Sequence, residues 1–339
     1  MDNSASSSPP AERRTWSRAI ASLLFVLVLL VLPTFFQAIG EPYYLRVATR
    51  ILIFAIAASS LNLVLGYGGM ISLGHAAFIG TGSYVVAILA WHFSNDVPLV
   101  LGPLAINGTM NAFVTWPLAI LVSAFCAFVI GLISLRTSGL SFIMITLAFA
   151  QMIYYYSTSL QQYGGDDGLR MRSQSLLPSV DLSNRTVFYY FCLAAFLACL
   201  LLIYLLVRSR FGAVIQGVRQ NETRMRAVGI EPFGYQLTCF VISGAIAGFA
   251  GVLLVNLDSF VSPADLSLAR SSELVAMILV GGVGSLWGPL LGAAAYILMQ
   301  FILGTLTTHW ALYFGPALIL IVLFARRGLV GLLQKRDAS

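Results

Sequence analysis

The chain is 339 residues long, 59% apolar and only 9% charged, and its net charge of +6 comes from 19 Lys and Arg against 13 Asp and Glu. An ordinary soluble domain carries about 25% charged residues, so the composition excludes a water-soluble globular protein and indicates an all-α polytopic membrane protein. The basic balance fits loops facing an anionic leaflet and does not call for nucleic acid.

Residues 1–18, MDNSASSSPPAERRTWSR, have the Ser- and Pro-rich polarity of a disordered tail. The apolar run from Ala19 to about Phe36 exceeds the roughly 7 to 15 apolar residues of a signal peptide and is read as a retained first span. Further spans follow from apolar runs long enough for a bilayer, about 20 residues, separated by polar breaks. The second is expected over about Ile51–Leu65, the third over Ala76–Phe93, the fourth over Phe113–Leu135 and the fifth over Gly139–Leu160. The sixth covers Phe188–Val207 and the seventh Leu237–Val255, and the eighth, ninth and tenth start near Ser272, Leu286 and Leu312. The stretch from Leu99 to Met110 is too short and too broken by Gly and Pro for a span, which leaves a re-entrant path open to it. About ten transmembrane helices put both termini on one side. With that side cytoplasmic, 13 of the 19 basic residues fall inside, in keeping with the positive-inside rule. Arg46 and Arg50, just ahead of the second span, fit that bias poorly. The domain division is a tail (1–18), a transmembrane domain (19–325) with a loop at 208–236, and a C-terminal tail (326–339).

Between the sixth and seventh spans, Arg208, Arg210, Arg219, Arg224 and Arg226 face only Glu222 and Glu231, which predicts a cytoplasmic loop. Its middle reads as a short polar helix stopped by Gly229 and Pro232, a docking element for a soluble partner. Two Gly-rich stretches share the pattern Gly-Gly-x-x-Ser-Leu, Gly68-Gly69 with Ser72-Leu73 and Gly281-Gly282 with Ser285-Leu286. Paired Gly-interrupted apolar segments in two halves point to a transport site, because a broken helix exposes backbone dipoles that are tolerable only beside a cavity or inside protein. The plainer use of such glycines is close helix packing, as Gly244 and Gly248 would allow. His75 lies in the first stretch and Glu273 at the start of the eighth span. Intramembrane ionisable groups are costly and mark function, although His75 would also serve as a neutral partner of a broken-helix carbonyl and Glu273 as a helix cap. The path candidates are Gly69, Ser72, His75, Glu273, Gly282 and Ser285. Cys126, Cys192, Cys199 and Cys239 lie in apolar runs and read as core residues.

The stretches LNLVLGYGGMISLGHAAFIGTGSY, TSGLSFIMITLAFAQMI, GGDDGL, SRFGAVIQGVRQNETRMRAVGI, VISGAIAGFAGVL and FVSPADLSLARSSELVAMILVGGVGSLWGPLLGA run in order from Leu61 to about Leu332. In these the chain resembles the permease subunits of bacterial branched-chain amino acid ABC transporters, of the LivM type. The resemblance implies an ABC importer permease fold in the bacterial inner (plasma) membrane, with a second permease subunit, two ATPase subunits and an external solute-binding protein as partners. It also places Arg219, Asn221, Glu222, Ala227 and Gly229 on the helix that such permeases insert into the ATPase. Arg224 and Arg226 depart from the acidic, Ala-rich run usual there.

The chain lacks the GxxxxGK[ST] phosphate loop, so ATP hydrolysis is assigned to a separate subunit and no cofactor or metal is expected. Asp166 and Asp167 lack the remaining ligands of a calcium loop and read as a Gly-rich turn. Neither HExxH nor GxSxG is present, against a membrane enzyme, and a stand-alone carrier would call for a charge relay across several spans. The expected function is import of branched-chain amino acids, with urea, short-chain amides or another small polar solute as the alternative cargo.

Overall fold

The computed structural model describes residues 26–34, 42–101, 104–106, 108–177, 181–306, 309, 312–316, 328, 329 and 331. The tail at 1–18, most of the tenth span and the basic residues Arg326, Arg327, Lys335 and Arg336 lie outside these. The described helices are α1 (26–34), α2 (Pro42–Asn62, prolonged by a π-helical turn over Leu63–Tyr67), α3 (His75–Ser94), α4 (Ala112–Ser134), α5 (Leu140–Ser159), α6 (Arg185–Arg208), α7 (Arg210–Gln220), α8 (Glu222–Ala227), α9 (Pro232–Asp258), α10 (Leu268–Gly281) and α11 (Gly288–Leu306). Among the described residues, seven helices are long and apolar enough to cross a membrane: α2 with its π turn, α3, α4, α5, α6, α9 and α11.

Local chemistry sets the boundaries. Asn111, Asn184 and Ser267 cap α4, α6 and α10 by accepting from the backbone N–H of Phe113, Thr186 and Arg270. Pro232 opens α9 at a position where a missing N–H costs nothing. The second span starts nine residues earlier than its apolar run, because α2 takes in Arg46 and Arg50; Arg46 is neutralised by Asp258 at 2.9 Å. The Leu99–Met110 stretch, for which a re-entrant path was open, contains a hairpin of β1 (Leu99–Leu101) and β2 (Leu104–Ile106), which pairs its backbone groups without entering the bundle as a helix.

Successive spans alternate in direction between two ends. The Arg46–Asp258 pair joins the start of α2 to the end of α9, while the Cys239 thiol lies 3.8 Å from the Leu63 carbonyl at the other end. That second end carries α7 and α8 and is called the basic end below. The core consists of α2, α3 and α9, which are mostly buried, and α4, α5, α6 and α11, of which a third or less is buried, surround it and turn apolar faces outward. Close approach in the core depends on small residues. A Cβ at Gly251 would run into the Ile79 carbonyl and one at Gly248 into Ser123.

Two elements stop short. α3 starts level with Ser243, eleven residues or about 16 Å into α9, so residues 68–74 return from the basic end into the bundle as irregular chain. α10 has 14 residues, about 21 Å, less than the roughly 30 Å hydrocarbon thickness. The expected eighth span is therefore a half-helix. It begins inside the bundle, where the Ser271 hydroxyl accepts from the Ala76 N–H at 3.2 Å, and it runs to the basic end. β4 (Phe260–Val261), paired with β3 (Leu169–Arg170), and the 3-10 turn Pro263–Leu266 lead the chain inward to it.

Candidate functional site

The two Gly-Gly motifs form matching chain breaks. In each, the second glycine has a positive φ, +71° at Gly69 and +119° at Gly282, values that L side chains rarely adopt. A new helix starts six residues later in both cases, at His75 and at Gly288. The repeat in the sequence is thus a repeat in backbone path.

The breaks meet at the basic end. The Asn62 carboxamide accepts from the Gly284 N–H and donates to the Ser285 carbonyl, both at 2.9 Å, so one side chain clasps the second break to the end of α2. A Cβ on Gly66 would come within 2.6 Å of the Gly284 nitrogen, so the two backbones touch. Arg219, on α7, does not point away from the membrane domain. Its guanidinium donates to the Gly66 carbonyl, and its aliphatic stem fills the space beside Gly69. Gly69, Gly282 and Ser285 are brought together with Arg219, and Asn62 was the member that sequence reasoning missed. A lone amide within the apolar run SSLNLVL was the available signal.

Ser72 and His75 are fully buried above this cluster. The Ser243 hydroxyl donates to the Ser60 carbonyl at 2.6 Å and meets His75 Nε2 at 2.8 Å, so it accepts from Nε2–H. In the neutral ring His75 Nδ1 accepts from the Ser72 hydroxyl at 3.3 Å, and that oxygen accepts from the Gly74 N–H. Phe78 and Phe240 pack edge-on against the imidazole. These bonds occupy both ring nitrogens and pin the returning segment to α2 and α9.

Glu273 lies apart from the breaks, two turns up α10, where it accepts from Arg270 at 2.7 Å; Asp265 takes the same guanidinium at 3.0 Å. The remaining loop residues sit on two short helices, not one. Asn221 is extended between them and caps α8 through the Arg224 N–H at 2.9 Å. Glu222 pairs with Arg226 at 2.7 Å, and Gly229 (φ +88°) ends α8 as a left-handed stop. Ala227 is exposed beside Val228, which is 72% exposed, leaving an apolar tip on a basic surface. At the opposite end, a groove of about 620 Å³ is lined by Arg172, Gln174, Asp181, Ser183 and Ser259 among others. The Ser183 hydroxyl and backbone N–H hold the Asp181 carboxyl below the ordinary carboxylate value. Asp166 and Asp167 occupy an exposed turn flanked by Gly164 and Gly168, both at positive φ.

The sequence pattern of the family described as branched-chain amino acid transport system permease component matches residues 43–325. The chain is similar to the high-affinity branched-chain amino acid transport system permease protein LivM of Salmonella typhimurium, 26% identical over 333 residues that cover 91% of this chain and 74% of that protein. LivM of Escherichia coli gives the same identity and coverage. The probable branched-chain amino acid transport permease protein LivM of Methanocaldococcus jannaschii is 24% identical over 315 residues, 82% of this chain and 90% of that one. No solved structure matches.

Proposed function

The chain belongs to the family of branched-chain amino acid transport system permease components, and from that premise we propose how its parts divide the work. It is an integral membrane protein, a permease subunit of an ABC importer for such amino acids, and its family works with an ATPase and other subunits. In our reading it sits in a bacterial plasma membrane with both termini in the cytoplasm, and residues 19–325 form the transmembrane domain. It pairs there with a second permease subunit and two ATPase subunits, and receives cargo from an external solute-binding protein. It catalyses no reaction itself, and ATP is hydrolysed by the separate chains.

The 208–236 loop docks the ATPase through the apolar tip at Ala227 and Val228, with Asn221, Glu222 and Gly229 holding the shape of α8. Gly69, Gly282 and Ser285 border the path at its inner end and Glu273 borders it further in. Ser72 and His75 brace that wall from behind. ATP binding moves cargo only if the outward and inward states differ in affinity for it, so movement of the loop must reach the path. The observation that carries this reading is the Arg219 side chain, which joins α7 to the Gly66 carbonyl and packs on Gly69.

The test is the reconstituted transporter with Arg219→Gln and, separately, Ala227→Glu. Ala227→Glu is expected to weaken ATPase association. Arg219→Gln is expected to leave association intact while cutting uptake per ATP hydrolysed by about tenfold or more, the scale of one charge-assisted hydrogen bond lost from a switching contact. Unchanged association with Ala227→Glu would remove the docking role; unchanged coupling with Arg219→Gln would remove the link to the breaks.

A further inference from the structure

Arg50, which fits the charge bias of the sequence poorly, lies eight residues into α2, about 12 Å from its start. It is half-buried, and among the described residues no carboxylate lies within ion-pairing distance of it. Its guanidinium carbon is 5.8 Å from the centroid of the Phe54 ring, which is 3% exposed, so the charge rests against the bundle interior. The Arg270 guanidinium carbon lies 5.2 Å from the same centroid. Arg270 spends one nitrogen on Asp265 and one on Glu273, and its Nε is buried without a hydrogen-bond partner among the described residues. Two guanidiniums therefore share one buried ring, and one of them holds two carboxylates, at the level where the half-helix α10 begins.

Charges at this depth are expensive, and they persist where they pair or serve a transported solute. Three of the four groups pair with each other. Arg50 does not, and it offers a full set of donors in a fork that suits a carboxylate. Asp265 accepts from Arg270 and, at 3.5 Å, from the Ser262 N–H, and Glu273 accepts from Arg270, which still leaves carboxylate lone pairs for an ammonium. Their side chains are 15% and 22% exposed, so they remain reachable. A ligand with both charges and no net charge would pair Arg50 without unbalancing the other three groups. We propose that Arg50, Arg270, Asp265 and Glu273 form a binding site for a zwitterionic amino acid, with its α-carboxylate on Arg50 and its α-ammonium on Asp265 and Glu273. This rests on the reading that branched-chain amino acids are the cargo. A headgroup carrying phosphate and ammonium shares the chemistry, and the test separates the two.

The probe is L-leucine. The permease and ATPase complex is placed in nanodiscs without binding protein, with the four native cysteines replaced and Ala269→Cys introduced; Ala269 is exposed one turn before Glu273. Leucine is expected to slow maleimide labelling by about tenfold, the scale of one charge-assisted hydrogen bond. Isoamylamine and 4-methylpentanoate, which each keep one charge, should slow it by less than about twofold. Arg50→Gln and Glu273→Gln should abolish protection, and Arg50→Lys should keep part of it. Labelling indifferent to leucine, in a complex that takes up leucine once binding protein is added, overturns the site. So does protection that survives Arg50→Gln. Labelling that depends on phosphatidylethanolamine against phosphatidylglycerol, and not on leucine, assigns the groups to a headgroup and also overturns it. If Arg50→Gln does not assemble, the analogue series on the native site decides alone. A wild-type complex with binding protein that imports neither leucine, isoleucine nor valine removes the cargo reading instead.

Discussion

The Ser243 hydroxyl has one proton, and Ser60 takes it. Only the Nε2–H of His75 can then complete the contact from the other side, which places a proton on Nε2. Ser243→Ala would strand that N–H in a fully buried site. The expected loss is roughly 1–3 kcal/mol, read as a lower midpoint in thermal unfolding of the purified complex, while uptake by protein that stays folded changes little. A large loss of uptake at unchanged stability would instead place His75 in the transport cycle. At this scale the sequence was legible in type and not in partner. A histidine beside a Gly-rich break offers a bond to broken backbone, but the atoms that complete the chain belong to Ser60, on the preceding helix, and to Ser243, far away along the polypeptide. Arg219 was legible as part of a polar helix between two spans, yet its direction was not, because the acceptor is a backbone carbonyl with no sequence signature.

The breaks work as a pair of elements because Asn62 spans them. Asn62→Leu keeps the volume approximately, removes both 2.9 Å bonds and leaves the Gly284 N–H without its acceptor. Uptake is expected to fall several-fold, and a thiol placed by Ser285→Cys should label faster as the second break separates from α2. Unaltered labelling would show the two breaks to be held by packing alone. Most spans were legible as elements because apolar length and polar breaks are a direct readout of bilayer thickness. α2 and α10 were not, for opposite reasons. α2 extends past its apolar run through Arg46, whose charge is met by Asp258 from a distant helix. α10 looked like the start of a full span because Ser267 and Pro263, which place its N-terminus inside the bundle, read locally as ordinary loop residues.

Across the whole molecule, the alternation of α2, α3, α4, α5, α6, α9 and α11 separates residues 183 and 226 to opposite ends of the bundle. In intact cells of a cysteine-free variant, Ser183→Cys is expected to react with an impermeant maleimide added outside. Arg226→Cys is expected to react only after permeabilisation. The reverse pattern would invert the orientation, and with it the docking surface. Overall class and alternation were legible because composition and the spacing of apolar runs report a bilayer crossed repeatedly. The inward return of residues 68–74 was not legible beyond the glycines that permit it, and that of 259–267, which holds no glycine, was not legible at all, since what stabilises these segments is contact between halves.

That contact has a consequence for biogenesis. Asn62 emerges from the ribosome long before Gly284 and Ser285, and a helix inserted early must wait with its amide unspent until more than two hundred further residues have been made. Sealing of the basic end is therefore a late event in assembly. A truncated product ending ahead of residue 284 would reach the membrane with most of its spans in place and its α2 terminus open, a defect that quality-control proteases could read from the basic side.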